Sequence, residues 1–405
     1  MTPPPTEQHE PDDYTAVAAD GPVVVVNVSK WRSDAVVVLP TGIEVVPLRA
    51  MTTDAVEKNR QRLDHAQQSV EQAYAREKAA YQRRMLAEAQ PQEVPGGIPA
   101  ALQALDVASK AYKEASALLD KRLIEITEWL WDALAAPVLD MLGIGPATDG
   151  VAPRLWWCPT GLLTLLPLHA AGYHRSGRQD DRVMAHVVSS YTPTLDALTR
   201  ARKHRPSAAE RKMLLVALGD KPGATRLLSA EKVERLLVKT FAARCTVLSG
   251  EDATAAAVRA GLREHDWVHF SCHADQDLTD PFQGGPILYD TTLSIADISR
   301  APHGVGEFAF LGACKTNVGG TTAPDEVITL ASALHHAGFR HVVGTMWSIE
   351  DHVTAPLVEH FYAQLARPAF TPDQAARALH HAVDALRLDE KNSLSVWAPF
   401  THTGP

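Results

Sequence analysis

The sequence predicts an α/β fold: a mostly parallel sheet with helices on both faces. Three observations predict it. From about residue 150 onward, short apolar runs recur at 155–158, 213–217, 245–248, 267–271, 307–311 and 341–346. Stretches of helical character separate several of them, at 229–241, 253–264 and 325–337, and two more follow at 351–365 and 372–386. Strands of this length alternating with helices of 10 to 15 residues are the pattern of βαβ units. No internal repeat of roughly 20 to 50 residues is visible, which disfavours a solenoid.

The first 150 residues have a different texture. Residues 1–14 are Pro-rich and polar and are expected to be a disordered tail. Within 15–50, two Val-rich runs at 23–27 and 35–39 flank a polar stretch, which predicts a β-hairpin, followed by a further run at 43–48. Residues 51–149 read as a helical arm. Positions 54–89 contain no Gly or Pro, and Val56, Leu63 and Val70 recur every seven residues beside a second row of Ala66, Ala73 and Ala80. That spacing predicts a long amphipathic helix with a small-residue seam. Three prolines and two glycines in 91–99 break it, and a second helix runs from about Ala100 towards Trp131. The two helices either fold back as an antiparallel pair or leave the first free to reach another chain. Residues 150–405 form the α/β domain.

Composition sets outer limits. The 405 residues are 45% hydrophobic and 21% charged, an ordinary globular balance. Thirty-nine basic against 48 acidic residues give a net charge of −9, which argues against nucleic acid as the main partner. Cys158, Cys245, Cys272 and Cys314 are scattered with no CxxC pair, unlike a disulfide framework or a zinc site. The N-terminus lacks a basic and an apolar segment, and no run of about 18 apolar residues occurs. The expected compartment is the cytoplasm, with no membrane span and no cofactor.

Two segments share a design. Residues 267–274 and 307–314 each run as an apolar strand that stops at a reactive side chain, His273 in one and Cys314 in the other. Functional groups of open α/β sheets gather at the carboxyl ends of strands. If the two strands are neighbours, these side chains emerge on one rim, 41 positions apart in sequence. A thiol of pKa about 8.5 is only partly ionised at neutral pH. A nearby imidazole can hold the thiolate and later protonate a leaving amine. Gly312 and Ala313 keep the approach uncrowded, Lys315 adds positive charge, and backbone N–H groups here could serve an oxyanion. The bland alternatives stay open on spacing alone: a buried small hydrophobe for the cysteine and a surface or capping group for the histidine. A metal at His269, Cys272 and His273 is disfavoured, because adjacent strand residues face opposite sides. No Gly-x-Ser-x-Gly elbow is present, which disfavours an α/β-hydrolase.

Taken together, Val268 to His273, Phe310 to Thr316 and Ala337 to Asp351 resemble the CHAT peptidase domain, a caspase-like domain related to separase. Residues 165–169 resemble its first strand, and 361–365, 376–385 and 397–400 its closing helices and final strand. The likeness covers roughly 150–402. It implies a caspase-like, mostly parallel sheet flanked by helices. It also implies a cysteine endopeptidase that works through a thioester acyl-enzyme on a polypeptide substrate, with Cys314 as nucleophile and His273 as general acid and base. The backbone N–H groups of Ala274 and Cys314 become the oxyanion donors. Caspases carry Gly where Ala274 stands; Ala keeps its N–H, so that role survives.

The resemblance puts the substrate pocket near Trp347, Glu350, Asp351 and Ala355. Separase-like relatives that cut after Arg place an acid inside the following helix, where Ala355 stands here. The expectation is a non-basic preference, with Asp351 equally suited to be an N-cap. Caspase-like enzymes are commonly regulated by a partner or by processing. Asp275 to Tyr289 is the expected mobile loop, and the helical arm is the expected seat of a regulatory protein, a substrate or a second copy. The rival readings are a catalytically silent scaffold and a non-proteolytic thiol hydrolase or transferase.

Overall fold

The computed structural model describes residues 14–147, 152–175, 177–203, 211–221, 226–275, 283–300, 306–312, 330–336, 338–349, 351–365, 371–389 and 391–405. The tail expected to be disordered lies outside them, apart from Tyr14, which opens a short helical turn, Tyr14–Ala18.

Three Val-rich strands come first: β1 (Val23–Asn27), β2 (Asp34–Leu39) and β3 (Gly42–Pro47), paired antiparallel in order. The hairpin is not isolated. β1 also pairs in parallel with β4 (Arg154–Pro159), Val23 opposite Trp156, so the N-terminal strands extend the main sheet. Burial of Val24, Val26, Ala35 and Val37 on that sheet's inner face is what holds them there.

The arm consists of α1 (Thr53–Ala89) and α2 (Gly97–Leu130). They run antiparallel: Arg62 faces Glu125 at 3.3 Å, the Tyr74 and Tyr112 rings lie 5.8 Å apart, and the Ser109 hydroxyl donates to Glu77 at 2.6 Å. Ala66, Ala73 and Ala80 are buried along the seam, as are Ala101 and Ala108 of α2. Small side chains let two helices approach closely, which fixes the pair as a hairpin rather than a free helix. At its base, Leu119, Leu123, Ile126 and Leu130 enter the main core beside Val56 and Leu63. The Thr52 hydroxyl caps α1 by accepting from the Ala55 N–H at 3.1 Å. Thr52→Ala is expected to cost about 1 kcal/mol of stability, measured by urea unfolding. Beyond α2 the helix widens for one turn at Trp131–Ala135, where the Ala136 N–H reaches the Trp131 carbonyl, before α3 (Ala136–Leu142). Gly143, at φ +64, ends it in the left-handed conformation that glycine favours.

The remaining elements are α4 (Val183–His186), β5 (Val188–Tyr191), α5 (Leu195–Lys203), β6 (Met213–Ala217), α6 (Leu228–Phe241), β7 (Cys245–Ser249), α7 (Ala255–Glu264) and β8 (Trp267–Ser271). After them come β9 (Ala274–Asp275), β10 (Gly285–Pro286), α8 (Ile295–Arg300), β11 (Phe308–Leu311), α9 (Leu330–His336) and β12 (His341–Thr345). The chain closes with α10 (Asp351–Leu365), α11 (Ala375–Leu388), α12 (Leu394–Trp397) and β13 (Phe400–Thr403). The first strand expected at 165–169 is instead two helical turns, Gly161–Leu165 and Leu168–Ala170. Pro167 cannot donate to a ladder, and the His169 ring is held between the Tyr191 hydroxyl and the Ala398 carbonyl, each at 2.9 Å.

Among the described residues one sheet takes eleven strands in the order β3-β2-β1-β4-β5-β13-β12-β11-β8-β6-β7. Only β1–β2, β2–β3 and β12–β13 pair antiparallel; the other neighbours run parallel. The fold is the expected one. Successive residues of β8 and β11 feed two cores. Trp267, Phe308 and Phe310 join α6, α10 and α11 on one face. Val268, Phe270, Ala309 and Leu311 join α7, α8 and α9 on the other. The chain leaves β6 towards β7 and leaves β8 towards β11, so the strand order reverses between β6 and β8. Crevices at such reversals, beyond the strands' carboxyl ends, are where open α/β sheets place their sites.

Candidate active site

β8 and β11 are adjacent and parallel, with Phe308 opposite Trp267 and Leu311 opposite Phe270. The Gly312 N–H donates to the Phe270 carbonyl at 2.8 Å, which carries the ladder one residue past β11. Gly312 is required there: a Cβ would stand 2.9 Å from the Phe270 carbonyl oxygen and 3.5 Å from His269 Nε2.

His273 follows β8 by two residues and is half-buried. Its carbonyl accepts from the Ile287 N–H at 2.8 Å, and Ala274 and Asp275 then pair as β9 with β10. The loop expected to be mobile is therefore pinned on its far side. Gly285 packs so tightly that a side chain would collide with the Leu293 carbonyl, and the Lys221 ammonium donates to the Leu288 carbonyl. Its middle, 276–282, lies outside the described residues, as do Cys314 and Glu350.

Trp347 is buried, and its indole N–H donates to the Ser395 carbonyl at 2.9 Å. Asp351 accepts from the Ser229 N–H at 3.1 Å and from the Ser229 hydroxyl. Helix α6 begins after Leu227, which offers no side-chain cap. The carboxylate of α10 supplies that cap from another element, satisfying an orphan N–H and complementing the helix dipole. Ala355 stands one turn further on and is half-buried. The neighbouring Thr354 methyl lies 3.8 Å from the Cβ position of Gly312, so α10 starts against the end of β11.

One residue of this region was assigned no chemistry in advance except as a weak metal ligand. His269 is fully buried, stacked on Phe310 with centroids 4.6 Å apart, and bonded through Nδ1 to the Tyr362 hydroxyl at 3.0 Å. Burial pushes its pKa down to about 3, so the ring is neutral. Cys272 sits in the opposite core, away from His269. Among the described residues no group of three His, Cys, Asp or Glu side chains is placed to hold a metal ion. Burial raises the Cys158 thiol to about 12, and burial followed by Glu234 raises Cys245 to about 11. Neither forms thiolate readily. No described helix is long and apolar enough to cross a membrane.

The fold is that of a caspase-like α/β domain, a mostly parallel sheet flanked by helices. A model of the CHAT domain matches residues 125–405, and the chain belongs to that family. Among solved structures, it resembles separase of Saccharomyces cerevisiae, determined as a complex with securin, at 8% identity and a TM-score of 0.58. That likeness covers 97% of this chain but only 30% of the separase chain. Gingipain R, the Arg-specific cysteine proteinase RgpB of Porphyromonas gingivalis, is similar at 9% identity and a TM-score of 0.42, over 70% of this chain and 67% of its own. No curated protein matches the sequence.

Proposed function

We propose that this chain is a cysteine endopeptidase in which Cys314 is the nucleophile and His273 its acid–base partner. One observation carries the reading. The parallel register of β8 and β11 has a constant offset of 41, from Phe308 opposite Trp267 to Leu311 opposite Phe270. The difference between positions 314 and 273 is also 41, so the proposal places them on neighbouring strand ends. Neighbouring strands lie about 4.8 Å apart, within reach of a thiol and an imidazole. Trp267 and Phe308 take the α6–α10 side, and the proposal has the thiol and the imidazole meet on that side.

The chemistry follows from that pairing. The thiolate adds to the scissile carbonyl, and the oxyanion takes the backbone N–H groups of Cys314 and Ala274. The C–N bond breaks as the His273 imidazolium gives its proton to the departing amine, leaving a thioester. A water then loses a proton to His273, its oxygen attacks the thioester, and the thiolate is released with a carboxylic acid product. Catalysis needs no cofactor.

The preferred residue before the cut is non-basic. Asp351 is engaged with Ser229, and Ala355 contributes no charge. Peptide-library profiling should return little cleavage after Arg or Lys; a strict demand for either contradicts this. The arm offers a docking surface for a regulatory protein, a substrate or another copy. Tyr81, Met85, Leu86 and Leu102 are exposed near its tip. Since its base shares the main core, tip substitutions rather than deletion are the suitable probe.

The test of the activity is direct. Purified protein incubated with a cell lysate should generate new protein N-termini, absent with Cys314→Ala. A silent enzyme giving no new termini under any partner or processing condition supports the scaffold reading instead.

A further inference from the structure

Helices α6 and α10 lie side by side on one face and run the same way. Asp351 joins their first turns, and near their far ends the Phe241 and Tyr362 rings meet edge to face at 6.0 Å. Between them is a groove of about 410 Å³. Leu236, Ala355 and Pro356 supply its apolar lining, Lys232, Arg235 and His352 line it with nitrogen, and Glu359 adds one carboxylate. The first turn of α10 lies against the end of β11, because Thr354 touches the Gly312 position.

The charges are unusual for this molecule. Lys232, Arg235 and Lys239 follow at i, i+3 and i+7, one stripe along α6. All three are exposed, and none has an ion-pair partner among the described residues. Like charges at these spacings oppose one another and cost helix stability. Glu231, the acid positioned to neutralise Arg235 at i+4, is paired with Arg226 instead. A chain of net charge −9 thus keeps a basic stripe, with no ion pair among the described residues, beside its candidate site.

We infer that this groove binds an acidic segment of the polypeptide on which the chain acts. The purpose of the groove rests on the peptidase reading; its binding does not. Lys232 meets the first acidic side chain. Arg235 meets a second. Glu359 closes the positive field, so the groove suits one or two carboxylates rather than a long polyanion.

The test uses Cys314→Ala protein and two fluorescent decapeptides, one rich in Asp and Glu and the other its Asn/Gln counterpart. Fluorescence anisotropy should show the acidic peptide binding about tenfold more tightly, the yield of two to three partly exposed charge pairs. Added salt should erase the difference. Lys232→Glu with Arg235→Glu should abolish it, whereas Lys110→Glu with Lys113→Glu on the arm, an equal change of charge, should leave it. Equal binding of both peptides, or a preference that survives the groove reversal, overturns the inference. So does equal binding of a single-stranded DNA of matching charge. Turnover by the wild type is scored separately: binding without cleavage sinks the peptidase reading and leaves the groove, and cleavage without acidic preference does the reverse.

Discussion

His273→Ala is expected to lower kcat/KM on a cleaved polypeptide by roughly 10³-fold or more, and Cys314→Ala to reduce turnover to background. General acid–base catalysis supplies about 10²- to 10⁴-fold, and in the proposed site His273 serves both acyl transfer and hydrolysis. Residues acting as one unit are not additive, so the double variant should be no worse than Cys314→Ala alone. Unfolding midpoints should hardly move for His273→Ala, because that residue is half-buried at a strand end and belongs to neither core. A small kinetic effect with normal folding contradicts the proposed role; a large fall in stability means that the substitution reports on the fold instead.

Acid should unfold this protein unusually early. His169, His269 and His341 are fully buried, and burial holds their pKa values at about 4, 3 and 4 against an ordinary 6.5. His402, bonded through Nε2 to His341 Nδ1 at 3.1 Å, is likewise pushed well down by burial and then by His341. A depressed histidine lets the unfolded chain bind a proton that the folded chain refuses. Stability is therefore whole above pH 6.5, falls as pH drops towards the folded values near 4, and levels off below them. Each of these histidines removes about 3 to 5 kcal/mol over that window. Three of them together approach the whole stability of a typical domain, about 5 to 15 kcal/mol. Urea midpoints should drop steeply between pH 6.5 and 4.5, and the drop should be shallower in His269→Gln. A flat profile over that range contradicts the buried neutral histidines.

Much of this fold was readable because its strands announce themselves. The run Trp267–Ser271 is buried at every position, and such continuous apolar stretches bounded by helices leave little choice of element. The arm was equally legible, since its seven-residue rows of Val, Leu and Ala are buried except for Val70, which is half-buried. β5 went unread for a physical reason. Its sequence is Val-Ser-Ser-Tyr, and it is stabilised by distant polar partners, Ser190 bonding to His402 at 2.7 Å and to Arg154 at 2.6 Å. No local pattern encodes such contacts. The union of the N-terminal hairpin with the main sheet was hidden likewise, because the partner of β1 lies more than 100 residues away in β4.

At the site, the two strands were legible as apolar runs, and they end at Ser271 and Leu311, short of His273 and Cys314. Their parallel adjacency was a supposition that the β8–β11 register supports. The function of Asp351 was half legible: an acid opening a helix suggests a cap, but the helix it caps is α6 rather than its own. His269 escaped a useful reading, because its significance comes from Phe310 and Tyr362, strangers in sequence.

The central claim is that one imidazole tunes one thiol. The rate of iodoacetamide alkylation at Cys314, followed by peptide mapping from pH 5 to 10, measures it most directly. The account predicts rapid reaction with an apparent pKa well below the free-thiol value of about 8.5, shifted upward in His273→Ala. Alkylation that titrates like a free thiol and ignores His273, or a Cys314 that stays unmodified until the protein unfolds, would contradict it.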